Sequence, residues 1–295
     1  MEPAHRLRKI FSQDTYSKEA AVRNLRRLSW KMRNAPDWTA TLCQHVLKAE
    51  ARKNLAARQR VLNPETLLAR ADRAQLERIR LSYSDGKSSY WTKYLDPAKW
   101  FSINIKYVKR FGWVLNPPED VLDLGCGGGF FLFVLREMGS RVLGLDLPDD
   151  PILNDLIQAL GIERVEHRIA KQQKLPTIGD RRFDLITAWM ICFNNYDREE
   201  TIWKAADWDF LLDDLSEKLK PKGKILFSLN PQADKKFYSR EIEKLFLYRS
   251  DLLDGRIIIF TKKRLDKTRL APLKVKGQVA SPSRPATEHS SIPED

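Results

Sequence analysis

Several residue types that define cross-linked or metal-dependent proteins are scarce in this sequence. Three cysteines are spread over 295 residues, which argues against a disulfide framework and is typical of a reducing compartment such as the cytoplasm. The four histidines and three cysteines form no cluster at metal-ligand spacing, so no metal site is expected. No apolar run reaches membrane-spanning length, and the first residues contain no apolar signal core.

Acidic residues are scarce at the two ends of the chain, which are strongly basic. Residues 1–80 contain 18 Lys and Arg against 8 Asp and Glu, and residues 262–295 contain 8 against 4. Residues 81–261 are nearly balanced, with 26 against 27. Basic ends are typical of chains with polyanionic partners, so RNA or an anionic membrane surface is a candidate partner of residues 1–80. A solvated basic helix face accounts for the same composition equally well.

The hydrophobic pattern divides the chain into three parts. Residues 1–82 have helical periodicity, with Asn63 as a helix cap before Pro64, and are predicted to form a basic helical extension. Residues 90–262 begin with an aromatic-rich lead-in over 90–101 and then alternate strand-like and helix-like segments, which predicts an α/β fold with a mostly parallel sheet. Residues 266–295, rich in Pro, Ser and Lys, are predicted to be a disordered basic tail. Strands are expected at 121–124, 141–147, 165–169, 183–190, 224–229 after a Pro221–Gly223 turn, and 256–260.

Glycine is also scarce, and four of the 13 glycines lie close together. The segment Val121-Leu-Asp-Leu-Gly-Cys-Gly-Gly-Gly129 joins a predicted strand to a predicted helix. Glycine allows positive φ and close approach of a ligand, and the helix N-terminus beyond it offers unpaired N–H groups. Asp123 lies in the strand end, and Asp146 ends the next strand, where a carboxylate can accept both hydroxyls of a ribose. The pattern predicts a nucleotide-binding turn.

This arrangement resembles the class I S-adenosylmethionine-dependent methyltransferases over residues 90–262. Their first motif, an apolar strand followed by acid-x-Gly-x-Gly-x-Gly, is matched by Asp123-Leu-Gly125-Cys-Gly127-Gly-Gly129. Residues 183–187 resemble their fourth strand, and residues 210–229 resemble the helix, turn and fifth strand that follow. The resemblance implies a Rossmann-like sheet with an antiparallel last strand and S-adenosyl-L-methionine as cofactor. A dinucleotide fingerprint fits less well, because Phe130 stands where GxGxxG requires glycine.

The resemblance also implies a set of cofactor-binding residues. They are Asp123, Gly125, Cys126, Gly127, Gly129, Asp146, Leu147, Gln172 and Trp189. The glycine backbone would lie under the methionine part of the cofactor, Asp123 would orient its amino group, and Asp146 would hold the ribose hydroxyls. The family's acid for the adenine amino group is absent from residues 170–176, where Gln172 or Gln173 offers a neutral amide instead.

The acceptor site of such an enzyme lies just past the fourth strand. Methyl transfer from a sulfonium is an in-line displacement, so the protein mainly positions the acceptor and excludes water. Asn194, Asn195 and Tyr196 are candidates to hold the acceptor by hydrogen bonds, or are ordinary loop residues. Trp203 and Trp208 are candidates for a pocket wall or for core packing.

The sequence therefore predicts an enzyme that transfers a methyl group from S-adenosyl-L-methionine to an O or N of a small-molecule or saccharide-type acceptor. One alternative is an RNA or lipid-linked substrate that is bound by residues 1–80. Another is a non-catalytic binding module that keeps the fold. Degenerate members usually lose the glycine turn or the ribose acid, and both are present here.

Overall fold

The computed structural model of the chain describes residues 49–84, 90–191, 193, 202–231 and 236–266. The acceptor candidates Asn194, Asn195 and Tyr196 lie outside these ranges. The predictions made for residues 1–48 and for the tail from 267 onward lie outside them as well.

The described strands form one sheet at the centre of the molecule. They are β1 Asp120–Leu124, β2 Arg141–Asp146, β3 Arg164–Glu166, β4 Phe183–Trp189, β5 Leu219–Ser228, β6 Leu252–Asp254 and β7 Ile257–Thr261. Their order in the sheet is β3-β2-β1-β4-β5-β7-β6. The first five pair in parallel, and β7 is antiparallel to both β5 and β6. This topology confirms the predicted Rossmann-like class with a mostly parallel sheet and an antiparallel last strand.

Helices surround the sheet, and several begin where the sequence signals a cap. They are α1 Ala49–Val61, α2 Pro64–Arg70, α3 Arg73–Ser82, a 3-10 helix over Tyr90–Leu95, α4 Pro97–Arg110, α5 Phe130–Glu137, α6 Pro151–Ala159, α7 Ala205–Glu217, α8 Arg240–Arg249 and α9 Lys262–Leu265. The Asn63 side chain accepts hydrogen bonds from the backbone N–H groups of Glu65 and Thr66, which confirms the predicted cap. Among the described helices, none is both long and apolar enough to cross a membrane.

The start of β5 differs from its prediction. The sequence predicted a turn at Pro221–Gly223 before a strand from Lys224, whereas β5 already begins at Leu219. Phe183 pairs with Leu219 and Leu185 pairs with Lys224, so the register shifts and the intervening residues of β5 form a bulge. Proline has no N–H to donate to a ladder, and it is tolerated at such an irregularity. The three-residue β6 was not predicted, because so short a segment has no detectable alternation.

The two faces of the sheet bury two different hydrophobic cores. On one face, Val121, Leu185 and Leu226 pack with side chains of α2 to α6. On the other, Leu122, Ile186 and other apolar strand residues pack with side chains of α7 and α8. Alternate residues of each strand therefore point into opposite cores, as expected for a parallel sheet covered on both sides.

Helices α2 and α3 contribute to the first of these cores. Leu67, Leu76 and Ile79 are buried in the same cluster as side chains of α4 and α5. The Arg70 guanidinium lies 3.0 Å from the Glu137 carboxylate, and the Tyr83 hydroxyl donates to Asp155 at 2.8 Å. The described part of the N-terminal region thus packs against the sheet domain. The boundary between an extension and that domain stays a prediction.

Candidate active site

A glycine turn, residues Gly125–Gly129, connects β1 to α5 at the carboxyl edge of the sheet. Gly125, Gly127 and Gly129 have φ angles of 68°, 54° and 79°, a region that other residues rarely adopt. The N–H groups of Gly125 and Cys126 lie 2.7 Å and 3.4 Å from the Leu145 carbonyl, which ties the turn to β2. The N-terminus of α5 therefore faces this edge.

Asp146 ends β2 and contacts the glycine turn. Its carboxylate accepts hydrogen bonds from the backbone N–H groups of Gly127 at 2.6 Å and Leu147 at 2.8 Å. Burial raises the pKa of Asp146 above its ordinary value, and the two N–H groups oppose that rise. Each carboxylate oxygen can accept a second hydrogen bond. Asp146 is thus fixed in orientation and still able to bind a hydroxyl.

Asp123, one residue before the end of β1, is a buried carboxyl. It is 2% exposed and accepts a hydrogen bond from the Thr187 hydroxyl of β4 at 2.6 Å. Burial raises the pKa of Asp123 to about 8; the Thr187 hydrogen bond opposes this rise, and the charge of Asp146 adds to it. An approaching cation would favour the ionised form of this carboxyl.

Cys126 is a packing residue of the turn. Its side chain is buried against Gly144 of β2, where an added Cβ would lie 2.5 Å from the Cys126 Sγ. Burial, with the charges of Asp146 and Asp123, raises the pKa of the thiol well above its ordinary value. A protonated, buried thiol is a poor nucleophile, so the Cys126 side chain has a packing role.

Tyr94 is a residue of this site that the sequence analysis did not assign to it. Its ring stacks on Trp100 with centroids 4.3 Å apart. A Cβ built on Gly127 would have the Tyr94 hydroxyl as its nearest neighbour, at 3.9 Å. The space over Gly127 is therefore open and bordered by a phenol. The aromatic-rich lead-in was the only signal in the sequence, and it did not distinguish Tyr94 from its neighbours.

The segment after β4 passes over the glycine turn. Met190 has a φ of 56°, which is unusual for a residue with a side chain and is found at strained functional sites. Its N–H donates to the Ser228 carbonyl at 2.7 Å, and its carbonyl accepts from the Asn230 amide. A Cβ on Gly125 would lie 2.7 Å from the Ile191 Cδ1. Residues 190–191 therefore border the turn on the side of β4.

Trp189 and Gln172, two of the predicted cofactor-binding residues, have different surroundings. The Trp189 ring stacks on Tyr107 at 4.3 Å and meets Phe131 edge-on at 5.2 Å. Its indole N–H is buried and has no hydrogen-bond partner among the described residues. Gln172, with a φ of 54°, donates its amide to Asp207 at 2.9 Å. This bond engages one N–H of the Gln172 amide, and the amide carbonyl oxygen is the acceptor that the side chain can offer to a ligand.

The two tryptophans beyond the loop are core residues. Trp203 and Trp208 are each 3% exposed and pack against Phe193 with centroids 5.2 Å and 4.7 Å apart. Trp208 also meets Phe246 edge-on at 5.3 Å. Of the two roles considered for them, the structure supports core packing.

The chain belongs to the methyltransferase domain family, which matches residues 98–267. It is similar to a ubiquinone biosynthesis O-methyltransferase from Hydrogenovibrio crunogenus, with 25% identity over 127 residues that make up 43% of this chain and 48% of that protein. It is also similar to phosphoethanolamine N-methyltransferase 1 from Zea mays, with 34% identity over 116 residues, 39% of this chain and 21% of that protein. The chain spans about half the length, or less, of these relatives.

Among solved structures, the glycopeptide N-methyltransferase MtfA complexed with S-adenosyl-L-methionine has 21% identity and a TM-score of 0.32, over 45% of this chain and 55% of that one. A methyltransferase from Clostridium acetobutylicum has 22% identity and a TM-score of 0.33, over 52% and 56%. The family match confirms the predicted resemblance to the class I methyltransferases, the class whose cofactor is S-adenosyl-L-methionine.

The residues at the carboxyl edge fit this cofactor. The space over Gly127 is open, and the nearest group that a Cβ there would meet is the Tyr94 hydroxyl, at 3.9 Å. Asp146 presents an oriented carboxylate of the kind that binds ribose hydroxyls. Asp123 is a carboxyl that an ammonium group would ionise. The buried Trp189 N–H near the same edge is a further donor without a partner among the described residues.

Proposed function

We propose that this methyltransferase binds its cofactor across the glycine turn and methylates an O or N of a small-molecule or saccharide-type acceptor. The observation that carries the proposal is the Asp146 carboxylate, held by the Gly127 and Leu147 N–H groups beside three glycines with positive φ. When bound, S-adenosyl-L-methionine supplies a methyl group that its sulfonium already activates. The protein then has to bind, orient and exclude water.

Asp146 and the turn would hold the two ends of the cofactor. The free lone pairs of Asp146 would accept the ribose hydroxyls, since its other lone pairs are engaged by Gly127 and Leu147. The backbone of Gly125, Cys126, Gly127 and Gly129 would lie under the methionine part. The Tyr94 hydroxyl borders this space, where it would donate a hydrogen bond and limit access of water.

Asp123 would lie near the positively charged amino group of the methionine part of the cofactor. In the free protein its pKa of about 8 keeps a substantial fraction of the carboxyl neutral at pH 7. An ammonium group close by would stabilise the carboxylate, so binding would release a proton. Thr187 would keep the Asp123 oxygen in place through its 2.6 Å hydrogen bond.

The adenine and acceptor contacts would come from residues outside the glycine turn. The carbonyl oxygen of Gln172, or Gln173, would accept the adenine amino group, and Trp189 would border the cofactor. The relatives whose names state an O-methyltransferase of ubiquinone biosynthesis and a phosphoethanolamine N-methyltransferase support a small acceptor for this chain too. Asn194, Asn195 and Tyr196 stay predictions for its positioning.

A polyanionic acceptor is less well supported by the described helices. Between residues 55 and 82, six arginine side chains are described, and three of them are already engaged. Arg70 pairs with Glu137, Arg80 pairs with Glu77, and Arg58 donates to the Leu115 carbonyl. RNA binding that weakens steeply with salt would favour this alternative over a small acceptor.

We also propose the division of the chain and its compartment as predicted from the sequence. Residues 1–82 would be a helical extension, 90–262 the methyltransferase domain and 266–295 a basic tail. Cys126 is a free buried thiol, which is compatible with the reducing cytoplasm.

The test is calorimetric titration with S-adenosyl-L-methionine. We expect the parent chain to bind and Asp146→Ala to bind about tenfold more weakly or worse, because it removes a hydrogen-bonded carboxylate. Asp149→Ala is the matched control, since Asp149 is an exposed acid three residues away that pairs with Arg168. Its affinity should equal that of the parent. No binding by the parent, or an equal loss in both variants, would contradict the proposal.

A further inference from the structure

Arg256 is a partly buried cation at the carboxyl edge of the sheet. It lies in the turn between β6 and β7, and its backbone carbonyl accepts from the Leu229 N–H at 2.9 Å. Its guanidinium Nη1 lies 3.3 Å from the Met190 Sδ, and a thioether is a weak acceptor. No carboxylate within the described part of the chain pairs with it. Most of its five N–H donors therefore have no protein acceptor there.

Two well-buried cations of the described regions have carboxylate partners. Arg249, with 1% of its side chain exposed, pairs with Asp209 and Asp213. Lys218, with 15% exposed, lies 2.7 Å from the Asp214 carboxylate. Arg256 has no carboxylate partner among the described residues, and its contact with Met190 is exposed, so a ligand can reach the guanidinium.

The position of Arg256 is on the acceptor side of the active site. Asp146 ends β2 and the glycine turn follows β1, so the cofactor would occupy that half of the edge. The other half is formed by β4, β5 and β7, where Met190 and Arg256 meet. Ile191, the residue after Met190, lies on Gly125. A group bound by Arg256 would therefore stand on the β4–β7 half of the edge, with residues 190–191 between it and the turn.

We propose that Arg256 selects the methyl acceptor by binding an anionic group on it, a carboxylate or a phosphate. The guanidinium would donate two parallel N–H hydrogen bonds to the two oxygens of that group. The left-handed backbone of Met190 is held by Ser228 and Asn230 and keeps the Met190 sulfur against the guanidinium. This contact limits the directions in which the guanidinium N–H groups can point. This inference rests on the proposed function, because it places the acceptor beside the cofactor.

The test compares matched probes on protein saturated with S-adenosylhomocysteine. One pair is phosphoethanolamine and ethanolamine, and the other is 3,4-dihydroxybenzoate and catechol. In calorimetric titrations we expect the phosphate or carboxylate member of at least one pair to bind about tenfold more tightly than the member without it. A preference within the first pair indicates that Arg256 binds a phosphate, and a preference within the second pair indicates a carboxylate.

Variants assign the preference to the residue. Arg256→Gln should abolish the anion preference. Arg256→Lys should keep part of the preference, because lysine retains the positive charge but lacks the two parallel N–H donors of the guanidinium. Arg240→Gln is the matched control, since Arg240 is an exposed arginine at the start of α8. Equal binding of both members of each pair by the parent, or an unchanged preference in Arg256→Gln, overturns the inference.

A titration of the same proteins with S-adenosyl-L-methionine separates this inference from the proposed function. Parent and Arg256→Gln should bind the cofactor equally, because Arg256 lies on the other half of the edge. If the parent binds the cofactor but shows no preference for an anionic probe, only the role of Arg256 is refuted. An absence of cofactor binding by the parent refutes the proposed function itself.

Discussion

The two edges of the sheet carry charges that are used differently. At the amino edge, the Lys220 ammonium lies 2.5 Å from Asp120 and 2.7 Å from Asp184, and Arg141 forms two hydrogen bonds to Asp120. At the carboxyl edge, Asp146 is bonded to backbone N–H groups, Asp123 to a hydroxyl, and Arg256 contacts a thioether. Charges that neutralise one another are structural, whereas charges without a counter-ion are available to a ligand.

The amino edge also shows why a cluster of acids is not by itself a site. Glu119, Asp120 and Asp184 bring three carboxylates within reach of one another. The Lys220 ammonium lies within 4 Å of all three. A lysine already supplies the positive charge that a metal ion would bring. Substitutions at each edge test whether the two sets of charges act independently.

The largest effect is expected at Gly125. Gly125→Ala would place a Cβ 2.7 Å from the Ile191 Cδ1 at a φ of 68°, so the turn must shift. We expect cofactor affinity to fall by roughly 100-fold, from the combined steric and conformational cost. Gly179→Ala is the control, because Gly179 has a φ of 57° with nothing within 4 Å. It should lose about 1 kcal/mol of stability and no affinity. Calorimetry and urea unfolding measure both.

The next effect concerns the pH dependence of stability through Asp123. Its pKa is raised from 3.8 to about 8 in the folded chain. Between these values the unfolded chain releases a proton that the folded chain keeps, so the free energy of unfolding falls as pH rises. The unfolding constant should grow by up to about tenfold per pH unit from this group.

Asp123→Asn should remove this pH dependence. Its gain in unfolding free energy over the parent should therefore be larger at pH 8 than at pH 5. Urea unfolding at the two pH values measures the difference. Thr187→Val is the companion variant, because it removes the hydrogen bond that lowers the pKa of Asp123. It should extend the fall of stability to higher pH, because the folded-state pKa of Asp123 rises further while the slope stays at one proton. A parent whose unfolding free energy is flat over this range contradicts the assignment.

A smaller effect is expected from the amino edge. Lys220→Gln removes the ammonium shared by Asp120 and Asp184. We expect a loss of about 1–2 kcal/mol in the free energy of unfolding, because the pairs are partly shielded from solvent. Cofactor affinity should not change, since the edge is opposite the glycine turn. A large drop in affinity without unfolding would show that the two edges are not independent.

The smallest effect is expected at Tyr94. Tyr94→Phe keeps the ring that stacks on Trp100 and removes the hydroxyl that faces Gly127. We expect a three- to tenfold loss of cofactor affinity, about the value of one hydrogen bond. Stability should stay within about 0.5 kcal/mol of the parent. Unchanged affinity would remove Tyr94 from the cofactor site and leave its ring as a packing element.

Local signals in the sequence predicted most of the fold. The Asn63 cap, the alternation of strands and helices, the glycine turn and the position of Asp146 at the end of β2 all follow from spacing along the chain. Predictions were poorer at the β5 bulge and at β6. There the pairing partner decides the structure, and periodicity carries no information about it.

The class of this protein follows from local sequence, because a strand, a glycine turn and an acid at the end of the next strand are specified by neighbours in the chain. Long-range packing brings Tyr94 to Gly127, Thr187 to Asp123, and Arg256 to Met190 across 66 positions. These contacts depend on strand order and register, and on burial from both faces of the sheet. The charge state of Asp123 and the unpaired guanidinium of Arg256 are properties of that packing.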